Sequence, residues 1–247
     1  MNAQHLAFPL DSVQRIDWFE GLRQVPDHSI DLILTDPPYG VTACAWDKAP
    51  DLTKMWTEFN RVIKPTGAIV LTATQPFATD VINANRRRFR YDLVWVKNMA
   101  VGFLNAKRMP LRQHEHILVF YGKLPTYNPQ MTPGKPYHRK AGKVYPSTIY
   151  RAVSKVEGAS DQRYPTSVLP FSRDSGRGLK HPTQKPLALF QWLIKTYSNV
   201  GETVLDPFMG SGTTAVAAHV EGRHFLGFET DLNYHRMALE RLEKLSS

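Results

Sequence analysis

An apolar run, Ile30-Asp31-Leu32-Ile33-Leu34-Thr35, leads without a break into Asp36-Pro37-Pro38-Tyr39-Gly40. Aliphatic and β-branched residues favour an extended strand, and two successive prolines end it, because each has a fixed φ and no N–H for a sheet ladder. The chain must leave the sheet at Asp36 and enter a stiff loop. Such a loop offers a carboxylate, a Pro37 carbonyl without competing donors and the aromatic face of Tyr39, a set able to clamp a planar amine. A plain Pro-rich turn has the same local sequence. What separates the two is a second strand end of the same kind, Thr203-Val204-Leu205 running into Asp206-Pro207-Phe208-Met209-Gly210-Ser211-Gly212-Thr213-Thr214.

Around these strand ends, runs of two periodicities alternate. Ser12 to Asp17 predicts a short strand, and Trp18 to about Val25 a helix with Trp18, Phe19, Leu22 and Val25 on one face. Asp51 is placed to cap a helix carrying Leu52, Met55, Trp56, Phe59, Val62 and Ile63, which Pro65 stops. That aromatic stripe reads as core. Further strands are expected at 68–73, 91–97, 116–121, 203–205 and 223–229, and helices at 77–87, from Pro186, from near Thr213 to His219 and at 232–245. Strands alternating with helices imply an α/β fold, a largely parallel sheet covered on both faces. Asn98 to Gln113 has little periodicity and reads as a functional loop. Gly122 to Leu179, rich in Pro, Gly and Tyr, is the candidate insertion.

The 247 residues suffice for one large domain or two small ones, and 42% hydrophobic with 21% charged content is ordinary for a globular chain. No apolar run approaches the roughly 20 residues of a membrane span, and no secretory signal is visible. Cys44 is the only cysteine, which rules out an internal disulfide and a zinc site with four cysteine ligands. The nine histidines form no ligand-spaced cluster, so no metal is expected, and the protein reads as cytoplasmic. The net charge of +9 is uneven: Lys123 to Lys180 holds eleven basic and three acidic residues, with five tyrosines interleaved. That pattern suits a nucleic acid, whose phosphates pair with the cations and whose bases stack on the rings; a merely solvated basic surface is the plain alternative.

Ligands in open α/β sheets bind beyond the carboxyl ends of strands where the strand order reverses. Gly210 and Gly212 permit close backbone approach, the helix beginning near Thr213 offers N–H groups, and Glu229 ends the next strand ready to accept from ribose hydroxyls. A dinucleotide site is the rival, but Gly-Ser-Gly-Thr-Thr lacks the third glycine of that fingerprint.

Asp36-Pro37-Pro38-Tyr39, the loop from Asp206 to Gly212, and His181-Pro182-Thr183-Gln184-Lys185-Pro186 together resemble the signatures of the amino-methylating DNA methyltransferases. Their order along the chain, catalytic loop first and cofactor loop last, resembles the circularly permuted β class. The resemblance implies a Rossmann-like methyltransferase fold with a mixed seven-stranded sheet, one strand antiparallel, and S-adenosylmethionine as cofactor. It implies catalysis by Asp36, Pro37, Pro38 and Tyr39. It implies a cofactor site from Asp206, Pro207, Phe208, Gly210, Ser211, Gly212, Thr213 and Glu229, with Lys185 and its neighbours Thr183 and Gln184 by the methionine end. Asp17 is expected to approach the cofactor or target base, or else to serve as a helix N-terminal acid.

The resemblance divides the chain into a catalytic half, 1–121, a target-recognition insertion, 122–180, and a cofactor-binding half, 181–247. Double-stranded DNA is the implied partner, contacted by Lys107, Arg108, Arg112, Arg139, Lys140 and Lys143. A homodimer and a cognate restriction endonuclease are partners the resemblance allows. Asp at the first loop position implies adenine N6 as the methylated atom, in a nucleotide flipped out of the duplex with Tyr39 stacked on it. Cytosine N4 shares the chemistry. Methylation at a cytosine carbon needs a thiolate after proline, and Cys44 is not preceded by proline. Protein-glutamine methylation goes with Asn at the first position and leaves the basic insertion unexplained, and a DNA-binding protein without catalysis leaves two intact loops unexplained.

Overall fold

The computed structural model describes residues 7–41, 47–139, 142–145, 153–155, 158–173 and 184–245, side chains of 139, 142–145 and 153–155 excepted. In chain order the first elements are β1 (Ser12–Gln14), α1 (Trp18–Leu22), β2 (Ile30–Thr35), α2 (Leu52–Val62), β3 (Ile63–Ala73), α3 (Phe77–Ala84), β4 (Phe89–Val101) and β5 (Arg112–Tyr121). Then come β6 (Thr132–Arg139), β7 (Gly142–Tyr145), β8 (Val153–Lys155), β9 (Gly158–Arg163) and β10 (Val168–Pro170). The chain continues with α4 (Leu187–Tyr197), β11 (Thr203–Asp206), α5 (Thr213–Val220), β12 (His224–Phe228) and α6 (Leu232–Glu243).

The chain divides into two compact units, 1–128 with 167–247, and 129–166. In the first, eight strands form one sheet in the order β1-β12-β11-β2-β3-β5-β4-β10. Only β5 runs against its neighbours, pairing antiparallel with both β3 and β4, while the other pairs are parallel. The expected count of seven is exceeded by β10, a three-residue edge strand beside β4. From β2 the chain crosses by α2 to β3, and from β11 by α5 to β12 on the opposite side. Strand order therefore reverses between β2 and β11, whose pairs are Val204 with Leu32 and Leu205 with Ile33.

Side-chain alternation along the strands builds one core on each face. Leu32, Leu34, Val70, Trp95 and Ile117 pack with Phe190, Leu193, Ala217 and Ala238 from α4, α5 and α6. Ile33, Ile69, Leu71, Phe120 and Leu205 pack with Leu22, Phe59 and Val81 from α1, α2 and α3. Three helices on each face answer the near-continuous apolar runs of the central strands. Asp51 caps α2 as its position predicts, accepting hydrogen bonds from the Thr53 and Lys54 amides. Among the described residues no helix is long and apolar enough to cross a membrane, and no group of His, Cys, Asp or Glu is arranged to hold a metal.

Several boundaries differ from expectation. The structure starts β3 at Ile63, so Pro65 lies within a strand; the preceding helix ends at Val62, and β3 pairs with β2 at both of its ends. The unperiodic stretch 98–113 is strand at both ends, because β4 extends to Val101 and β5 starts at Arg112; their outer residues are solvated on both faces and lack alternation. The unit 129–166 is shorter than the insertion 122–180. It consists of two antiparallel pairs, β6 with β9 and β7 with β8, and Arg163 lies over the Tyr137 ring at 4.8 Å.

Phe120 is fully buried, its ring centroid 4.6 Å from that of Trp56 and 5.4 Å from that of Phe89. Phe120→Ala should cost about 3–5 kcal/mol by leaving a cavity between β5 and α2. Urea denaturation should show a lower midpoint with an unchanged slope.

Candidate active site

β2 ends where its sequence demands, and the four residues after Thr35 form one wall of a cavity of about 640 Å³ at the carboxyl edge of the sheet. Pro37 is buried, and Tyr39 packs against Phe77 with ring centroids 5.4 Å apart and planes 29° apart. The Tyr39 hydroxyl lies 2.6 Å from Asp36 Oδ1 and 2.8 Å from Thr72 Oγ1, and Thr72 Oγ1 also donates to Asp36 Oδ1. Burial foremost, then the charges of Asp36 and Glu115, raises the Tyr39 pKa well above the phenol range, so this hydroxyl remains a donor. One carboxylate oxygen of Asp36 is thus held by two hydroxyls. The other, Oδ2, accepts the Lys185 ammonium at 2.7 Å.

The opposite wall is the loop after β11. Asp206 faces inward: Oδ1 accepts from Thr35 Oγ1 at 2.5 Å and from the Phe208 amide at 3.0 Å, and Oδ2 accepts from Thr214 Oγ1 at 2.5 Å. It thus ties β2, the loop and the first turn of α5 together. Burial outweighs these donors and pushes its pKa up to about 6. Gly212 is left-handed at φ 82°, and a Cβ there would come within 2.8 Å of the Ala238 Cβ, so glycine is required where the loop meets α6. Arg241 of α6 clamps the same loop by donating to the Ser211 carbonyl at 2.7 Å and to Thr213 Oγ1 at 3.1 Å. Glu229, just beyond β12, accepts from the amides of Gly210 and Asp231, both at 2.8 Å. Burial is the main cause of its raised pKa. Pro207 is buried, while Phe208 lies beside Trp18 at 5.5 Å between centroids, an apolar wall of the cavity. Asp17 caps α1 by accepting from the Phe19 amide at 2.9 Å, the role of a helix N-terminal acid, and also lines the cavity.

Between the two walls, Gln184 lies 3.3 Å from Ser211 Oγ while Lys185 sits on Asp36, so adjacent residues touch both loops. His181, Pro182 and Thr183 of the same motif lie outside the described residues. Lys185 is buried and also lies 3.3 Å from Glu115 Oε2, and Glu115 pairs in turn with Lys97. Desolvation alone would lower the Lys185 pKa, but Asp36 and Glu115 reverse this and hold it above the lysine range. Desolvation alone would raise that of Glu115, but Lys185 and Lys97 hold it below the glutamate range. Lys185 thus contributes stability that fades only as pH rises through its elevated pKa, and Glu115 stability that fades as pH falls through its depressed one. The network spans the neutral range intact.

Reading the sequence for loops missed Lys97, Glu115, Thr72 and Thr74. A signal was present: Lys97 shares strand parity with buried Leu93 and Trp95, and Glu115 shares it with buried Ile117 and Val119. Charges at inward positions of neighbouring strands need each other. Thr74, just past β3, lines the cavity with a buried hydroxyl that makes no hydrogen bond. Lys107, Arg108 and Arg112 are exposed on and beside the β4–β5 connection, and Arg112 reaches the cavity rim. Arg139 and Lys143 lie on β6 and β7 with side chains outside the description, and Lys140 and Cys44 lie outside the described residues altogether.

Two variants test this geometry. Lys185→Met leaves Asp36 and Glu115 facing each other and should cost on the order of 3 kcal/mol, with Lys185→Met/Glu115→Gln recovering part of the loss in thermal or urea denaturation. Because Asp206 binds its proton more tightly when folded, its contribution should fall by about 3 kcal/mol as pH rises from about 4 to above 6. The stability of wild type relative to Asp206→Asn should fall over that interval; a pH-independent difference would contradict the assignment.

The chain also has relatives among known proteins. Residues 30–240 match the N6/N4 methylase family model described as DNA methylase. The DNA adenine methyltransferase YhdJ of Escherichia coli is 31% identical over 244 residues, 91% of this chain and 80% of that protein. Among solved structures, the M1.HpyAVI–SAM complex is 26% identical with a TM-score of 0.65, covering 94% of this chain and 98% of that one. The PvuII cytosine-N4-specific DNA methyltransferase, 18% identical with a TM-score of 0.66 over 95% of this chain and 89% of that one, shares the fold. The chain belongs to the N6/N4 DNA methylase family, whose members are S-adenosylmethionine-dependent DNA methyltransferases.

Proposed function

We propose that the protein methylates the exocyclic N6 amine of an adenine swung out of duplex DNA at a specific sequence. The observation that carries the proposal is the state of Asp36. Its Oδ2 holds a buried ammonium group at 2.7 Å, so the carboxylate is already arranged to receive N–H donors at the end of β2. An amine that displaces Lys185 would find the same acceptor, with Glu115, 3.3 Å from Lys185 Nζ, ready to keep the displaced cation.

The residues present fit the cofactor. Glu229 has each oxygen engaged by one amide and a further lone pair on each for ribose hydroxyls, Phe208 and Trp18 give an apolar wall, and Gly210 brings backbone close. Asp206, Pro207, Ser211, Gly212 and Thr213 shape the loop that presents them. S-adenosylmethionine supplies, when bound, a methyl group made electrophilic by its sulfonium. Asp36 and the Pro37 carbonyl accept the two N–H bonds of the target amine, drawing its nitrogen toward tetrahedral geometry and freeing a lone pair otherwise delocalised into the ring. As that nitrogen gains positive charge, Asp36 stabilises it, and the amine proton then leaves toward the carboxylate and water. Tyr39, whose hydroxyl donates to Asp36 within the same loop, presents its ring to the base, and the buried Thr74 hydroxyl is a free partner for a polar group on it. Pro38 stiffens the loop.

Lys107, Arg108, Arg112, Arg139, Lys140 and Lys143 supply phosphate contacts in this scheme, and the unit 129–166 lies within the segment 122–180 assigned to target recognition. Residues 1–121 then serve catalysis and 181–247 the cofactor.

Incubation with DNA and tritiated S-adenosylmethionine, followed by digestion to nucleosides, should yield N6-methyladenine. Asp36→Ala should lower the rate by roughly a hundredfold or more while cofactor still binds. N4-methylcytosine as the only product would replace adenine by cytosine, and binding of DNA without transfer by wild type would overturn catalysis.

A further inference from the structure

The β4–β5 connection carries a feature that methyl transfer does not use. Val101 and Arg112 form the last pair of that ladder, and both line the cavity beside Asp36 and Glu115. Beyond them the chain turns through Gly102, left-handed at φ 90°, into a short 3₁₀ turn at Phe103–Asn105. The knob is held by its own backbone: Asn105 donates to the Gly102 carbonyl at 2.9 Å, Ala106 to Phe103 at 3.0 Å, Arg108 to Asn105 at 2.8 Å and Met109 to Asn105 at 3.0 Å. At its crest Phe103 is 81% exposed and Leu104 is 99% exposed, with Met99, Met109 and Leu111 also open to solvent.

Exposed apolar side chains borne together on one hydrogen-bonded knob mark a contact surface. Its charge selects the partner. From Asn98 to Gln113 there is no Asp or Glu, while Lys107, Arg108 and Arg112 are all exposed. A second copy presenting the same knob would meet like charge. Stacked bases between rows of phosphate are complementary on both counts, apolar faces for the ring and anions for the cations. Position agrees as well, since Phe103 stands two residues beyond the cavity rim, a reach of roughly 7 Å.

We propose that Phe103 and Leu104 form a wedge that enters the base stack of duplex DNA beside the target nucleotide and fills the gap left when that nucleotide swings into the cavity, while Lys107, Arg108 and Arg112 hold the flanking phosphates. Extruding a base forfeits stacking and pairing, and an apolar wedge offsets that loss. The proposal rests on the methyltransferase reading above and adds the element that opens the duplex.

The test uses the full chain and a duplex carrying the sequence that wild type methylates, identified by single-molecule sequencing of treated DNA. Phe103→Ala/Leu104→Ala removes only exposed side chains, so its thermal midpoint and cofactor binding should match wild type. On the fully paired duplex its methylation rate should drop about tenfold or more. On the same duplex with the target base left unpaired the rate should return to within a few-fold of wild type, since no stack need be opened. Phe103→Trp/Leu104→Met, which keeps the bulk, should remain active on both. An unchanged rate on paired DNA overturns the wedge, as does a loss that an unpaired target fails to rescue. A loss accompanied by conversion of a dimer to a monomer in sedimentation overturns it in favour of a contact between copies. Wild type inactive on every DNA would instead defeat the methyltransferase reading itself.

Discussion

The parallel seam between β2 and β11 is the constraint on which the rest depends. Each strand leads into an Asp-Pro step, with Asp206 closing β11 and Asp36 following the last residue of β2, and lateral pairing of Val204 with Leu32 and Leu205 with Ile33 puts both ends at one edge of the sheet. Thr35, the last residue of β2, donates across the seam to Asp206, the last of β11, so residues 171 positions apart share one hydrogen bond. Everything at the site follows from this adjacency. The loops diverge because the chain leaves the two strands in opposite directions, and the crevice between them is the cavity.

The two aspartates do opposite work because their surroundings differ. Asp206 is sealed beneath its loop with every contact internal, and burial raises its pKa. Its role is to fix backbone, and it places Phe208 and the start of α5. Asp36 is partly open, braced on one oxygen by Tyr39 and Thr72 and charged on the other by Lys185. The same residue type thus becomes a structural tie in one place and an N–H receptor in the other. The buried chain of Lys185, Glu115 and Lys97 is costly to desolvate, and its members depend on one another because removing any one leaves an uncompensated charge in the interior.

Much of the fold was legible because it rests on local rules. Pro37 and Pro38 have no N–H to continue a strand, Asp51 caps because its side chain reaches two free amides, and apolar periodicity identified each helix and every central strand of the sheet. Failures occurred where pairing overrode pattern. β4 and β5 run on past their apolar segments because ladder hydrogen bonds do not require apolar side chains, and β10 exists only because β4 offers it an edge. The strand count of the family pattern fell one short for that reason.

The sequence by itself determined where strands must stop and which residues arrive at those stops, and the resemblance of its motifs to the amino-methylating DNA methyltransferases supplied the kind of chemistry. These are properties of φ restrictions, donor inventories and motif chemistry, all local to a few residues. Only the tertiary structure decided that Lys185 rests on Asp36, that Glu115 and Lys97 complete the charge network and that Asp17 caps a helix at the rim of the cavity. Those facts depend on which strands lie side by side. Lateral order is set by packing of two whole sheet faces against six helices, a sum over the entire chain that no short stretch of residues encodes.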